Sequence, residues 1–348
     1  MHDQVLYRKY RPTEWGEVVG QEHIVSVLEA SIKNENFSHA YLFTGSRGTG
    51  KTSVARIFAR ALGTNDEDIM EIDAASNRSI DDIRELRAAV RVLPFSSRFK
   101  VYIIDEVHML SKDAWGALLK TLEEPPAHVV FILATTELDK VPETILSRCQ
   151  VFSFRKPSEK ILAGMVADIA TRESFALDAE SASLVAMLGD GSFRDTFSIL
   201  QKVFSAAKGR TITRALVESI TGAPSLATIQ QLYSALITRD IDQGYKTLAH
   251  AEAHHTDMML LAELLLETMR RSLMYRYSPS LRESIESSYS EHYVEIIKQG
   301  AVEGGDIISS RSVVALITAV ERIAYASVAT LPLELALLEM MGTETSKE

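Results

Sequence analysis

Gly45-Ser46-Arg47-Gly48-Thr49-Gly50-Lys51-Thr52 decides how this chain is read, because it satisfies G-x-x-x-x-G-K-[ST] and directly follows the apolar run Tyr41–Thr44. Glycines let the backbone turn sharply enough for successive N–H groups to face phosphate oxygens. The amphipathic segment opening at Lys51 adds the positive end of a helix dipole. Lys51 is expected to reach the β- and γ-phosphates of a nucleotide, and Thr52 to offer its hydroxyl to Mg²⁺. The expected cofactor-binding loop is therefore Gly45, Ser46, Arg47, Gly48, Thr49, Gly50, Lys51 and Thr52.

A second element, Val101-Tyr102-Ile103-Ile104-Asp105-Glu106, is an apolar run that ends in two carboxylates. Burial explains the run, and phosphoryl chemistry explains its end. Asp105 at the C-terminal edge of a strand can hold the Mg²⁺ shell, and Glu106 is placed to orient and activate the attacking water. A strand ending in Asp-Glu says little alone; downstream of the glycine-rich loop it completes a metal-assisted phosphate site.

Outward from these motifs, the first half alternates short apolar runs with longer amphipathic segments, the pattern of a parallel sheet covered by helices. Strands are expected at Tyr41–Thr44, Ile69–Asp73, Val101–Asp105, Val129–Ala134 and Val151–Phe154, and helices at about 51–62, 79–91, 111–122 and 142–147. Arg155-Lys156-Pro157-Ser158 closes this region. Beyond it strand-like runs disappear and apolar residues recur at helical spacing. A short bundle is expected over 158–222, broken at Gly189-Asp190-Gly191-Ser192 and Gly209-Arg210 and ended by Gly222-Ala223-Pro224. Helices resume at Ser225 and run to about 342, with breaks at Tyr277-Ser278-Pro279-Ser280 and Gly304-Gly305. Residues 343–348 read as a frayed tail.

Composition agrees with a folded chain of two or three domains: 348 residues, 46% hydrophobic and 24% charged. Neither a long apolar run nor a secretion signal at MHDQVLYRKYRP is present, so a cytoplasmic protein without membrane contact is expected. The single cysteine, Cys149, excludes an internal disulfide framework and a cysteine-cluster zinc site. A net charge of −10 means that any contact with nucleic acid must be local. Residues 1–157 carry 20 Lys+Arg against 22 Asp+Glu (−2) and residues 158–348 carry 17 against 25 (−8), so the acid is concentrated in the C-terminal part.

From Asp105-Glu106-Val107-His108-Met109-Leu110-Ser111 onward the sequence resembles one family, the gamma/tau subunits of the bacterial DNA polymerase III clamp loader. The resemblance is carried also by Arg11-Pro12 with Val18-Val19-Gly20-Gln21, the glycine-rich loop and Glu71-Ile72-Asp73-Ala74-Ala75-Ser76. It continues through Leu118–Pro126, Ala134-Thr135-Thr136, Ser147-Arg148-Cys149 and Gly191-Ser192-Phe193-Arg194-Asp195. It implies an α/β RecA-like P-loop AAA+ domain with a five-stranded parallel sheet over 1–157, an all-α lid over 158–222 and an all-α collar over 223–342. It also implies an ATPase that uses Mg²⁺ and loads a sliding clamp onto primer-template DNA. Delta- and delta-prime-type subunits would complete a hetero-pentameric ring, with DNA-directed DNA polymerase activity in another subunit of the holoenzyme.

By position, Thr136 resembles the sensor of the γ-phosphate, Arg194 the lid sensor and Arg148 the arginine finger that reaches a neighbour's ATP. With Lys51, Asp105 and Glu106 these form the implied catalytic set, and Arg194 also joins the nucleotide contacts. Arg11, Pro12 and Val19 resemble the segment that lines the adenine pocket; Arg84, Ser111, Lys120 and Thr121 resemble residues that face the DNA backbone. On the residues alone, an ion pair is the commoner role for each arginine, and the N-terminal segment also fits a strap packed on the sheet and Lys120 a solvated helix face.

Two departures stand out. The family usually carries a four-cysteine zinc module where Leu62-Gly63-Thr64-Asn65-Asp66-Glu67-Asp68 here leads straight into Ile69, so no zinc is expected. The chain also ends after the collar, which reads as gamma-like in length. Three alternatives share parts of the pattern. The delta-prime-type subunit has a degraded phosphate loop, whereas this one is intact. A Holliday-junction helicase or other repair ATPase would add a winged helix. The small subunit of archaeal and eukaryotic loaders also has Ser-Arg-Cys, but by resemblance the Ala-Thr-Thr and Leu-Leu-Lys-Thr-Leu-Glu-Glu-Pro-Pro segments favour the bacterial form.

Overall fold

Residues 5–76, 80–289 and 291–342 are described in the computed structural model. Contacts divide the chain into two units, Met1–Val166 with Val185–Gln201, and Ala167–Leu184 with Lys202–Glu348. The first unit contains α1 (Leu6–Lys9), α2 (Glu22–Lys33), β1 (Ala40–Thr44), α3 (Lys51–Ala61), β2 (Ile69–Asp73) and α4 (Ile80–Val90). It continues with β3 (Lys100–Asp105), α5 (Lys112–Glu123), β4 (Val129–Thr135), α6 (Glu143–Leu146) and β5 (Gln150–Ser153). Position 79, included in the expected helix over 79–91, lies outside the described residues, as does the expected tail 343–348.

The five strands form one parallel sheet in the order β2-β3-β4-β1-β5. β1, β3 and β4 read as continuous apolar runs because helices cover both faces, whereas the edge strands β2 and β5 stay partly exposed. Side chains alternate across the sheet. Leu42, Tyr102, Ile104, Phe131 and Leu133 go to one side, with Ile83, Leu86 and Val90 of α4 and Trp115, Leu118 and Leu122 of α5. Tyr41, Phe43, Val101, Ile103 and Ile132 go to the other, with Ile24 and Leu28 of α2 and Val54 and Phe58 of α3. Register aligns the C-terminal ends: Thr44 pairs with Thr135, Ile104 with Leu133 and Asp73 with Asp105. Three strands that carry the motifs therefore finish at one edge.

At the short turn that leads into β2, Asp68 is buried and its carboxylate accepts N–H bonds from Phe95 (2.6 Å), Ser96 (3.0 Å) and Ser97 (2.9 Å). Burial acts to raise its pKa, but these donors and the Ser97 hydroxyl outweigh it and hold the carboxyl below its ordinary value. One carboxylate thus organises two loops. Among the described residues no trio of His, Cys, Asp or Glu is placed to hold a metal ion.

The remaining elements are α7 (Glu159–Arg172), β6 (Ala176–Leu177), α8 (Ala179–Leu188), α9 (Phe193–Ala206), β7 (Thr211–Ile212) and α10 (Arg214–Thr221). They are followed by α11 (Leu226–Thr238), α12 (Ile241–Ala253), α13 (Met258–Tyr277), α14 (Arg282–Ser288), α15 (Glu291–Glu303), α16 (Ser310–Ile323) and α17 (Leu331–Met341). The expectation of a purely helical region beyond 158 is corrected by β6 and β7, which pair in parallel over two residues each. Runs that short carry no readable alternation.

In the second unit α13 is the axis on which α15 and α16 pack. Its inward hydroxyls are satisfied: Tyr233 donates to Ser272 Oγ (2.8 Å), and Ser272 Oγ lies 3.0 Å from the Ile297 carbonyl. Arg276, near the end of α13, binds the C-terminus of α15 and the turn after it. Its Nε donates to Ala301 O (2.7 Å), its Nη2 to Gly300 O (2.8 Å), and its Nη1 to Gly305 O (2.8 Å) and Ile308 O (2.9 Å). Helix C-termini leave carbonyls without intrahelical partners, and the guanidinium satisfies one of them, Ala301 O, while adding a second donor to Gly300 O, which already accepts from Gly304 N at 3.2 Å. Among the described residues no helix is long and apolar enough to cross a membrane.

Arg276→Met keeps the apolar stem but removes four charge-assisted hydrogen bonds. It is expected to cost about 2–4 kcal/mol in denaturant unfolding and to deprotect the amides of residues 300–309 in hydrogen exchange. Unchanged exchange there would show that the guanidinium is dispensable.

Candidate functional site

The loop between β1 and α3 is shaped by what surrounds it. Gly45 has φ 144° and Gly48 φ 73°. A Cβ on Gly45 would lie 2.5 Å from the Phe154 carbonyl oxygen, and one on Gly48 would lie 2.0 Å from Ser192 Oγ, so neither position admits a side chain without rearrangement. Phe193 N donates to Gly48 O at 2.9 Å, which ties the start of α9 to the loop. Gln21, 1% exposed, donates to Arg155 O (2.7 Å) and Thr49 O (3.4 Å) and accepts from Arg155 N (3.2 Å), joining the loop to the chain that leaves β5. Ser46 and Arg47 are exposed, whereas Thr49 is buried and donates to Ser46 O at 2.9 Å.

Lys51 opens α3 and is buried, with Nζ donating to Gly45 O (2.7 Å) and Ser46 O (2.9 Å). Burial draws its pKa below the ordinary value, while Asp105 and Glu106 oppose that shift. Thr52 Oγ1 donates to Asp105 Oδ2 at 2.7 Å. Two hard oxygens, one on a helix N-terminus and one on a strand end, fit the outer protein ligands of a Mg²⁺ ion that keeps its waters and phosphate oxygens. The residues present therefore suit both a nucleotide and its metal.

Glu106 follows β3 in a left-handed conformation, φ 49°. Its N–H donates to Asp105 Oδ1 (2.9 Å), and its Oε2 accepts from Thr136 Oγ1 (3.1 Å), just beyond β4. Thr136 is thus held against Glu106 by the register of β3 and β4. His108 packs beside them, a residue that sequence reading quoted only within a motif. Gln21 and the Ser192–Phe193 pair were likewise present in motifs without an assigned role.

Arg11 lies on the first turn of α3, donating from Nε to Ser53 Oγ at 3.0 Å. Burial lowers its pKa, with Arg56 and Arg194 adding to the effect and Glu71 and Asp105 opposing it. Pro12 is half-buried and Val19 is 48% exposed, an apolar side chain open to solvent. The Arg194 guanidinium lies over the Tyr7 ring at 5.4 Å.

Arg148 is placed differently. It precedes β5, so it lies at the N-terminal edge of the parallel sheet, opposite the loop that follows β1. The paired stretch Tyr41–Thr44 with Gln150–Ser153 alone puts roughly 10 Å between the two edges. There Arg148 donates to Glu123 Oε1 (2.8 Å), Thr144 O (2.8 Å) and Ser147 Oγ (3.0 Å).

Of the residues expected to face DNA, Arg84 and Lys120 are exposed on α4 and α5, and Ser111 caps α5 by accepting from Ala114 N at 3.2 Å. Thr121 departs from the expectation: it is 8% exposed, beside Leu118 and Leu122 on α5, so it offers little surface to a ligand.

Fold and site together define a RecA-like P-loop domain of AAA+ type. The structure of the Thermotoga maritima RuvB Holliday junction branch migration motor matches with a TM-score of 0.53 over 66% of this chain and 79% of that one. At 21% identity this likeness speaks to fold alone. A family model described as "DNA polymerase III, delta subunit" matches residues 20–78 and 64–158. DNA polymerase III subunit gamma of Buchnera aphidicola is 32% identical over 86% of this chain and 86% of its own length. DNA polymerase III subunit tau of Bacillus subtilis is 38% identical over 89% of this chain, which spans 59% of that relative, and the Escherichia coli tau subunit is 36% identical over 80% of this chain. The chain belongs to the DNA polymerase III gamma/tau family.

Gly48→Ala introduces the Cβ that collides with Ser192 and strains a positive φ, at an expected cost of about 1–3 kcal/mol, with at least a tenfold loss of nucleotide affinity by fluorescent-analogue titration. Gly116→Ala on α5, where a Cβ meets nothing within 4 Å, should be neutral or stabilising. Equal behaviour of the two variants would contradict the close approach at Gly48.

Proposed function

We propose that the chain is an ATP-hydrolysing motor subunit of a DNA polymerase III clamp loader, placing the sliding clamp on primed DNA. The polymerase activity would reside in another subunit. The observation that carries this reading is the assembly of Lys51, Thr52 with Asp105, and Glu106 with Thr136 at one sheet edge of a gamma/tau family chain. Lys51 and the loop N–H groups would bind the triphosphate, Arg11, Pro12 and Val19 would receive the adenine, and Arg194 would approach the phosphates from α9. Thr52 and Asp105 would hold Mg²⁺, which supplies charge neutralisation at the phosphates. Glu106 would orient the attacking water and take its proton, with Thr136 fixing the carboxylate.

The position of Arg148 supports action on a neighbouring subunit, because its own phosphate loop lies at the other edge of the sheet. Delta- and delta-prime-type subunits would complete the ring, held by a collar at 223–342, with a lid at 158–222 and the nucleotide domain at 1–157. Arg84, Ser111 and Lys120 would meet the DNA backbone without reading sequence. The compartment proposed is the cytoplasm, and no zinc enters the scheme.

In a loader reconstituted with its partner subunits, clamp and primed DNA, Lys51→Ala should lose nucleotide binding. Glu106→Gln should bind ATP normally while turnover falls about 10²- to 10⁴-fold. Equal loss of both in Glu106→Gln would remove Glu106 as the base. Arg148→Ala should bind ATP normally alone and lose about 10³- to 10⁵-fold in assembled turnover. Mixed with Lys51→Ala subunits, it should complement in one subunit order and not the other. Full clamp-dependent activity of the Arg148→Ala loader would end the trans assignment.

A further inference from the structure

His108 sits on the single 3-10 turn Val107–Met109 directly after β3, its side chain 7% exposed. Both ring nitrogens face polar atoms. Nε2 is 3.2 Å from Glu137 Oε1, and Nδ1 is 3.1 Å from Thr135 Oγ1 and 3.5 Å from Glu106 Oε2. The ring therefore stands between the Glu106 carboxylate, just after β3, and Thr135, Thr136 and Glu137 at and just beyond the end of β4. Lys140 Nζ holds the other Glu137 oxygen at 2.7 Å, which fixes that carboxylate from outside.

An ionised carboxylate can only accept, so the contact with Glu137 requires a proton on Nε2. In the neutral ring Nδ1 is then an acceptor, and of its two neighbours only the Thr135 hydroxyl can donate to it. Thr135 Oγ1 in turn accepts from Glu137 N at 3.0 Å. The Thr135 hydroxyl also has the Glu137 carbonyl oxygen as an acceptor at 3.2 Å, so ring and hydroxyl together tie the turn after β3 to the end of β4, and the Nε2–H ring leaves Glu106 Oε2 without a donor from this side. Oε2 takes its hydrogen bond from Thr136 instead. Glu106 sits at φ 49°, a backbone that persists in a non-glycine residue only where its surroundings over-determine it.

We propose that His108 is a positioning residue: as the Nε2–H tautomer it wedges Glu106 against Thr136 and locks the end of β3 to the end of β4, so that the carboxylate is held in one place beside the phosphate loop. This rests on the reading of Glu106 as the base for ATP hydrolysis. His108 touches neither nucleotide nor metal in this role and acts through Glu106 and Thr135. A histidine is required in place of an apolar residue because only a ring with one fixed donor and one fixed acceptor can meet a carboxylate on one side and a hydroxyl on the other.

The test uses the reconstituted loader and the free chain together. His108→Ala is expected to lower kcat about ten- to hundredfold, as small misplacements of a reacting group do, with the Kd for an ATP analogue within about twofold of wild type. His108→Asn, whose amide overlays the Nδ1 position but does not reach Glu137, should recover part of that loss at an unchanged melting temperature. A His108→Ala chain with wild-type kcat, or an Asn variant that fails to recover although folded, overturns the proposal. The free chain gives a readout without turnover. ¹⁵N-histidine spectra, with the His108 signals assigned by their absence in His108→Asn, should report the Nε2–H tautomer in the wild type. A Nδ1–H or doubly protonated ring at pH 8 overturns it. If the wild-type loader shows no ATP hydrolysis, the reading of the site fails, while the tautomer still decides what His108 does to its neighbours.

Discussion

Thr52 Oγ1 and Asp105 Oδ2 meet across 2.7 Å although they belong to a helix following β1 and to the end of β3, strands that β4 separates in the sheet. The contact exists because β4 is paired with both in a register that ends all three within a residue of one another. A slip of one residue would send every side chain of a strand to the opposite face, and a slip of two would move its end by roughly 7 Å. Such a slip is resisted by the two apolar layers, since Leu42, Ile104 and Leu133 serve one face and Phe43, Ile103 and Ile132 the other. The chemistry at the edge is thus set by hydrophobic pairing well away from it.

Polar side chains then do the finer work of holding loops to that edge. Gln21 carries the segment after β5 to the phosphate loop, and Asp68 gathers the N–H groups of 95–97. In the second unit Arg276 does the same for the end of α15. In each case a buried or half-buried side chain satisfies backbone groups that regular structure leaves over, and the alternative is an unpaired donor or acceptor away from water.

Much of this was legible in the sequence, and the reasons are local. The inner strands of the sheet announced themselves as apolar runs because both faces are covered, and the glycine-rich loop and the Asp-Glu pair marked the edge where they end. The helix breaks at Tyr277–Ser280 and Gly304–Gly305 were visible as turn residues. What sequence did not yield depends on contacts between distant positions. Phe193 N reaches Gly48 O only once the chain has folded, and nothing near Gln21 or His108 advertises their partners. The partners of Arg276 are backbone carbonyls, which have no signature at all. Thr121 is a different case: it lies three residues after Leu118, where helical spacing puts it beside the buried stripe, and the family resemblance gave no sign of that. Strands β6 and β7, at two residues each, are too short for any period to register.

A parallel sheet has two chemically unlike ends, and here the phosphate loop and acids lie at one and Arg148 with Glu123 at the other. A contact that brings Arg148 to a second copy's phosphates joins unlike surfaces, so the association is head-to-tail and has a direction. In an open row of such subunits the count of completed sites is one fewer than the count of chains. The chain at one end presents a phosphate loop that no arginine reaches, and the chain at the other an arginine with nothing to reach. Those two end positions are where a subunit lacking one half of the apparatus could be accommodated without loss.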